Sequence, residues 1–123
     1  MKKPLVLIVE DDEWLAEQQA RTIKSAGYKV EVTHHALSAI QAIDKFHPDV
    51  IVLDVLLAGS TAFALLNELQ SYGDTGNIPI ILCTNLANEL SIDELSSYGI
   101  KRILDKATMA PNDLVASLRS VLL

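Results

Sequence analysis

The sequence has 123 residues, half of them hydrophobic, and it carries a formal net charge of −6. This length suits a single domain with its own core, and the apolar content excludes a disordered chain. The acidic balance excludes a nucleic-acid-binding surface, because such a surface needs a clustered positive face.

Cysteine usage and the N-terminus bear on the cellular compartment. Cys83 is the single cysteine, so no internal disulfide can form and a reducing compartment is expected. No apolar stretch is long enough to span a bilayer. The segment from Met1 to Pro4 leads directly into a strand pattern and is unlike a signal peptide. We therefore expect a cytoplasmic protein with one domain over residues 1–123.

Strand and helix patterns alternate five times along the chain. Short apolar runs rich in β-branched residues predict strands, and apolar residues at helical spacing predict helices. In chain order the predicted elements are a strand at Leu5–Val9, a helix at about Glu13–Ala26, a strand at Lys29–Thr33, a helix at about His35–Phe46, a strand at Val50–Leu53, a helix at about Thr61–Gln70, a strand at Ile80–Cys83, a helix at about Asn88–Ser97, a strand at Ile100–Leu104 and a helix from Pro111.

Two details of the helices can be predicted from local chemistry. Gly27 is a natural C-terminal cap for the first helix, because glycine tolerates a positive φ. In the second helix we expect Leu37, Ile40 and Ile43 to face the sheet.

Strict alternation of strand and helix predicts an α/β fold, a doubly wound (βα)5 flavodoxin-like domain with a five-stranded parallel sheet. The second strand is short and partly polar, so it belongs at an edge, whereas the first and third are the most apolar and belong in the middle. The expected strand order is 2-1-3-4-5, with the ligand crevice between the first and third strands.

Polar side chains follow the strands at the edge where that crevice opens. Three carboxylates, a hydroxyl and an ammonium group would meet there: Glu10, Asp11, Asp54, Thr84 and Lys106. A carboxylate can act as a nucleophile toward phosphorus, and clustered oxygen ligands favour Mg²⁺. The pattern therefore predicts a site that holds a divalent metal and a phosphoryl group.

These motifs resemble the receiver domain of two-component response regulators. The resemblance covers about Leu5 to Leu122. It rests on four segments in order, Val9-Glu10-Asp11-Asp12-Glu13, Pro48-Asp49-Val50-Ile51-Val52-Leu53-Asp54, Pro79-Ile80-Ile81-Leu82-Cys83-Thr84 and Lys106. It implies a signalling module that is not an enzyme beyond promoting its own phosphorylation and dephosphorylation.

The resemblance also implies a role for each matched position. Asp54 would accept a phosphoryl group from a histidine kinase or phosphotransfer protein. Glu10, Asp11 and Asp54 would bind Mg²⁺ together with the backbone carbonyl of Leu56. Thr84 would hydrogen-bond the phosphoryl oxygens, and Lys106 would pair with them.

Four positions depart from the usual receiver pattern. Ala58 stands where the loop usually has proline, and Asn85 stands where a small residue would leave access to the phosphoryl group. Ile103 replaces the aromatic residue that usually moves on activation. Ala107 replaces the proline that usually follows the lysine, so we expect a trans peptide after Lys106 and an ammonium group farther from the phosphoacceptor.

Two alternatives remain beside phosphorylation-controlled regulation of a partner protein. One is a pseudo-receiver that keeps the fold and binds partners without phosphorylation. The other is a phosphohydrolase of the haloacid dehalogenase type, which usually has a second aspartate where this chain has Leu56.

We expect a monomer with no direct nucleic-acid or membrane contact, and a weak dimer on phosphorylation. The dimer face would carry Asp93, Glu94, Lys101, Arg102 and Arg119.

Overall fold

The computed structural model describes residues 3–54, 56–57, 60–70 and 77–122. In chain order its elements are β1 Leu5–Val9, α1 Glu13–Ser25, β2 Lys29–Thr33, α2 Ala36–Phe46, β3 Val50–Leu53, β4 Leu56–Leu57, β5 Ser60–Thr61, α3 Ala62–Gln70, β6 Ile80–Thr84, α4 Ile92–Leu95, β7 Ile100–Asp105 and α5 Pro111–Leu122. Short 3₁₀ turns at Ala87–Glu89 and Ser96–Tyr98 flank α4.

Five of the strands form one parallel sheet in the order β2-β1-β3-β6-β7. This order confirms the predicted 2-1-3-4-5 arrangement. The remaining two strands, β4 and β5, form a short antiparallel pair that the sequence did not predict. Since all five main strands run in one direction, the residues that follow them meet at a single edge of the sheet.

Burial of the strands explains their positions in the sheet. All four residues of β3 are buried, as are four of the five in β1, whereas most of β2 is exposed or half-buried. Alternate residues of the central strands feed two cores, one on each face of the sheet. Strands that are buried on both faces must be apolar throughout, and this is why the most apolar runs are central.

The ends of α1 follow the chemistry of its sequence. Asp12 is the N-cap, and its Oδ1 accepts a hydrogen bond from the backbone N–H of Leu15 at 3.1 Å. Gly27 lies just beyond the helix with φ of 100°, the positive φ that its predicted role as a C-terminal cap requires. Both ends therefore have partners for backbone groups that a helix leaves unpaired.

The prediction that Leu37 faces the sheet is wrong. Leu37 is 64% exposed, while Ala39, Ala42 and Ile43 form the buried side of α2. Leu37 and Ala39 are two positions apart, which places them about 200° apart around the helix, so they cannot share a face.

The prediction of a continuous fourth helix over Asn88–Ser97 is also wrong. The segment contains a 3₁₀ turn, a four-residue α-helix and a second 3₁₀ turn. Leu90 and Ser91 both have extended backbone dihedrals, with ψ of 145° and 125°, which interrupts any helix that crosses them. Serine favours such an N-cap conformation, because its side chain competes with helical hydrogen bonds.

Among the described residues, no helix combines the length and apolar character needed to cross a membrane.

Candidate functional site

Backbone hydrogen bonds fix the ends of the strands that form the candidate site. Asp54 N donates to Val9 O at 3.2 Å, which places Asp54 beside the end of β1. Lys106 N donates to Thr84 O at 3.1 Å, which extends the β6–β7 pairing to Lys106. The site residues are thus held by sheet geometry rather than by the conformation of long loops.

The three predicted metal-ligating carboxylates come together at this edge. One oxygen from each of Glu10, Asp11 and Asp54 lies within 4.8 Å of the other two. Glu10 and Asp54 are buried, whereas Asp11 is exposed. Within the described ranges this is the only group of three or more His, Cys, Asp or Glu side chains close enough to share a metal ion.

Lys106 extends across the cluster and pairs with both buried carboxylates. Its Nζ lies 2.5 Å from Asp54 Oδ2 and also forms an ion pair with Glu10 Oε1. The ammonium group therefore supplies the positive charge that two buried carboxylates need.

The pKa values of this pair reflect burial and pairing together. Burial raises the pKa of Glu10, and the opposing effect of the Lys106 ammonium is smaller. Burial also acts to lower the pKa of Lys106, but its hydrogen bonds and charge interactions with Asp54 and Glu10 together outweigh this effect, so the pKa is raised. Lys106 therefore remains a cation at neutral pH.

The expectation that the Lys106 ammonium would lie farther from Asp54 is wrong, although the predicted trans peptide is confirmed. The described residues contain no cis peptide bond. Pairing of β7 with β6 positions the backbone of Lys106, so its side chain reaches the carboxylates without a cis bond at Ala107.

Thr84 is fully buried at the end of β6. Its Oγ1 accepts a hydrogen bond from Leu86 N at 3.2 Å, which holds the turn that follows the strand. The hydroxyl hydrogen is not used in this contact, so Thr84 can donate to an additional acceptor.

Three further positions near the strand ends differ in burial or strand pairing. Asn85 is exposed, and Ile103 is half-buried against the core that lies under α2 and α3. Leu56 lies at the start of β4, where it pairs with Thr61. Ala58 lies outside the described residues.

The three histidines lie at or beside the ends of secondary-structure elements. A ring N–H of His34 donates to the backbone carbonyl of Glu10 at 2.9 Å. His35 is the N-cap of α2, and His47 ends that helix in the left-handed region at φ 50°.

Sequence reasoning missed a buried polar cluster behind Lys106. Gln19 is 4% exposed, and its Nε2 donates to Cys83 Sγ at 3.4 Å. The Cys83 thiol in turn donates to Met109 Sδ at 3.3 Å. Helical periodicity could have identified Gln19, because it lies three positions after Ala16 and four before Ile23 on the buried face of α1.

The chain matches the family model described as "Response regulator receiver domain" over residues 6–119. A curated relative, the response regulator MprA of Mycobacterium ulcerans (strain Agy99), is 33% identical over 79 residues, which is 64% of this chain and 33% of the relative. The matched region thus spans about a third of the relative's length.

Solved structures agree with this match. The chemotaxis response regulator CheY4 of Vibrio cholerae is similar with a TM-score of 0.84 and 26% identity, covering 98% of this chain and 100% of that one. A sensor protein from Polaromonas sp. JS666 has a TM-score of 0.90 at 20% identity, with coverage of 98% and 97%, and this likeness concerns the fold alone.

Proposed function

Because this chain belongs to the response regulator receiver family, whose members signal by phosphorylation, we propose that Asp54 accepts a phosphoryl group from a histidine kinase or phosphotransfer protein. The phosphorylated domain then regulates a partner protein through a protein–protein contact. We further propose that residues 1–123 form this one receiver unit.

The observation that carries the proposal is the pairing of Lys106 with both Glu10 and Asp54 at one edge of the sheet. Burying a carboxylate beside other carboxylates has a desolvation cost even when a cation pairs with it, so stability alone does not explain this arrangement. Such arrangements concentrate at functional sites.

The chemistry of transfer follows from the groups in the site. An oxygen of Asp54 attacks the phosphorus of a phosphohistidine, the N–P bond breaks, and the imidazole nitrogen takes up a proton. The product is an aspartyl phosphate. Lys106 supports this step because its ammonium already contacts Asp54 and can pair with the phosphoryl oxygens. Thr84 has a hydroxyl hydrogen to offer the same oxygens.

The acidic cluster fits Mg²⁺, which prefers hard oxygen ligands. Glu10, Asp11 and Asp54 would supply the side-chain ligands, and the backbone carbonyl of Leu56 would complete the protein contribution. When bound, the ion neutralises negative charge that would otherwise repel the incoming phosphate.

Intact-mass spectrometry after incubation with Mg²⁺ and acetyl phosphate tests the proposal. Wild type should gain one phosphoryl group and Asp54→Asn should gain none. Asp12→Asn is a matched control, because Asp12 is a neighbouring carboxylate that caps α1 and asparagine caps equally well. If wild type gains no mass with acetyl phosphate or a cognate kinase, the chain is a pseudo-receiver.

A further inference from the structure

A groove of about 960 Å³ lies at the edge of the sheet opposite Asp54. It is formed where β1, β2 and β3 begin and where α1, α2 and α5 end. Since β1 has five residues, the groove lies about 17 Å from the phosphorylation edge. It is therefore separate from the site described above.

Three lysines from different elements line this groove. Lys3 precedes β1, Lys24 lies in the last turn of α1, and Lys29 begins β2. All three are exposed, and none forms an ion pair with a carboxylate of the described residues. Three of the ten lysine and arginine residues of this acidic chain therefore line one groove.

Helix stabilisation accounts for only one of these lysines. A cation in the last turn complements the negative end of the helix dipole, and this explains Lys24. Lys3 and Lys29 lie outside the helices, just before β1 and at the start of β2, so this effect does not account for them. Helix stabilisation therefore does not explain why the three lysines lie in one groove.

The groove also contains apolar and acidic groups, which affect the kind of ligand that it can bind. Phe46 is 39% exposed and borders the lysines, with the Nζ of Lys45 5.2 Å from its ring centroid. Two carboxylates, Glu31 and Asp49, also line the groove, and Asp49 Oδ2 is held in place by a hydrogen bond from Leu5 N at 2.7 Å. Three lysines and two carboxylates thus leave the lining with an excess of one positive charge, beside an exposed aromatic ring.

From these features we propose that the groove binds an acidic peptide segment of a partner protein that carries an apolar side chain. The lysines are spread over three separate segments of the chain, so they match charges distributed along a peptide rather than one compact anion. The helices end at this groove, and helix C-termini expose carbonyl groups rather than the free N–H groups that would bind a lone phosphate. Nucleic acid is disfavoured by the net charge of the whole domain.

Fluorescence anisotropy with a short fluorescein-labelled peptide tests this proposal. The probe has glutamates around one central phenylalanine, and the comparison probe has lysines in place of the glutamates. We expect the acidic probe to bind and the basic probe not to bind. The double variant Lys24→Glu/Lys29→Glu should weaken binding of the acidic probe by about tenfold or more, because opposite charges at the rim become like charges.

A second double variant, Lys101→Glu/Arg119→Glu, is the matched control in the unphosphorylated protein, where the dimer face that these residues belong to is not expected to be used. It changes the net charge by the same amount at exposed positions outside the groove and should leave binding unchanged. Circular dichroism of both variants establishes that they are folded. Equal weakening by the two variants would overturn the proposal, since it would show a general charge effect. Binding of a DNA oligonucleotide or a phosphatidylserine vesicle at this groove in preference to the acidic probe would also overturn it.

Discussion

Lys106 Nζ lies 2.5 Å from Asp54 Oδ2, although the two residues are 52 positions apart in the chain. The same ammonium pairs with Glu10. A side chain from the end of β7 therefore pairs with carboxylates from the ends of β1 and β3. This arrangement makes Lys106 important for stability as well as for the proposed phosphoryl transfer.

Lys106→Met should destabilise the metal-free protein by about 3 kcal/mol, because it removes the cation that pairs with two buried carboxylates. Mg²⁺ should recover part of this loss by supplying charge to the same carboxylates. Urea unfolding with EDTA and with Mg²⁺ measures both effects. Lys101→Met, at an exposed position of β7, is the control and should change stability by less than about 0.5 kcal/mol. Equal losses for the two variants would show that the Lys106 pairs contribute nothing.

Mg²⁺ should raise the melting temperature of wild type, because a ligand that binds the folded state stabilises it. Asp11→Asn should lose most of this rise, since it removes the exposed carboxylate of the cluster. Asp12→Asn should retain the rise, because Asp12 caps α1 and is not part of the cluster. Trp14 fluorescence is a second probe, since Trp14 lines a cavity together with Lys106. An unchanged Mg²⁺ effect in Asp11→Asn would place the metal elsewhere.

Cys83 should resist thiol reagents in the folded protein. It is 2% exposed, and burial raises the pKa of its thiol from 9.0 to about 12. Because the folded-state pKa is the higher one, the stability that this group contributes is fully present below pH 9.0 and is lost as pH rises toward about 12. Labelling with iodoacetamide at neutral pH, with and without urea, checks the prediction. Rapid labelling of the native protein would contradict it.

We expect a monomer when the protein is unphosphorylated and a weak, salt-sensitive dimer once it is phosphorylated. The expected face carries exposed charges of both signs, including Asp93, Lys101, Arg102 and Arg119. Each exposed pair contributes about 0–1 kcal/mol, and Ile103 packs against the core without an aromatic ring to couple the site to this face. Sedimentation with and without beryllofluoride, compared between wild type and Arg119→Glu, measures the effect. A tight dimer without beryllofluoride that Arg119→Glu leaves intact would place the interface on another face.

The sequence by itself determined the main strands and their order. Runs such as Leu5–Val9 and Val50–Leu53 are apolar throughout because both faces of a central parallel strand are covered, and this signal is local. The meeting of Glu10, Asp11, Asp54 and Lys106 was also predictable, since parallel strands bring their carboxyl ends to one edge.

Only the tertiary structure determined the features that depend on contacts between distant elements. The pairing of Lys106 with both carboxylates follows from the register of β7 against β6, which no local pattern encodes. The break at Leu90 and Ser91 required more than helical periodicity to predict. The exposure of Leu37 depended on which side of α2 packs on the sheet, because several apolar stripes were compatible with its sequence. The lysine groove formed only when the ends of three strands and three helices came together, since each lysine alone resembles an ordinary exposed side chain.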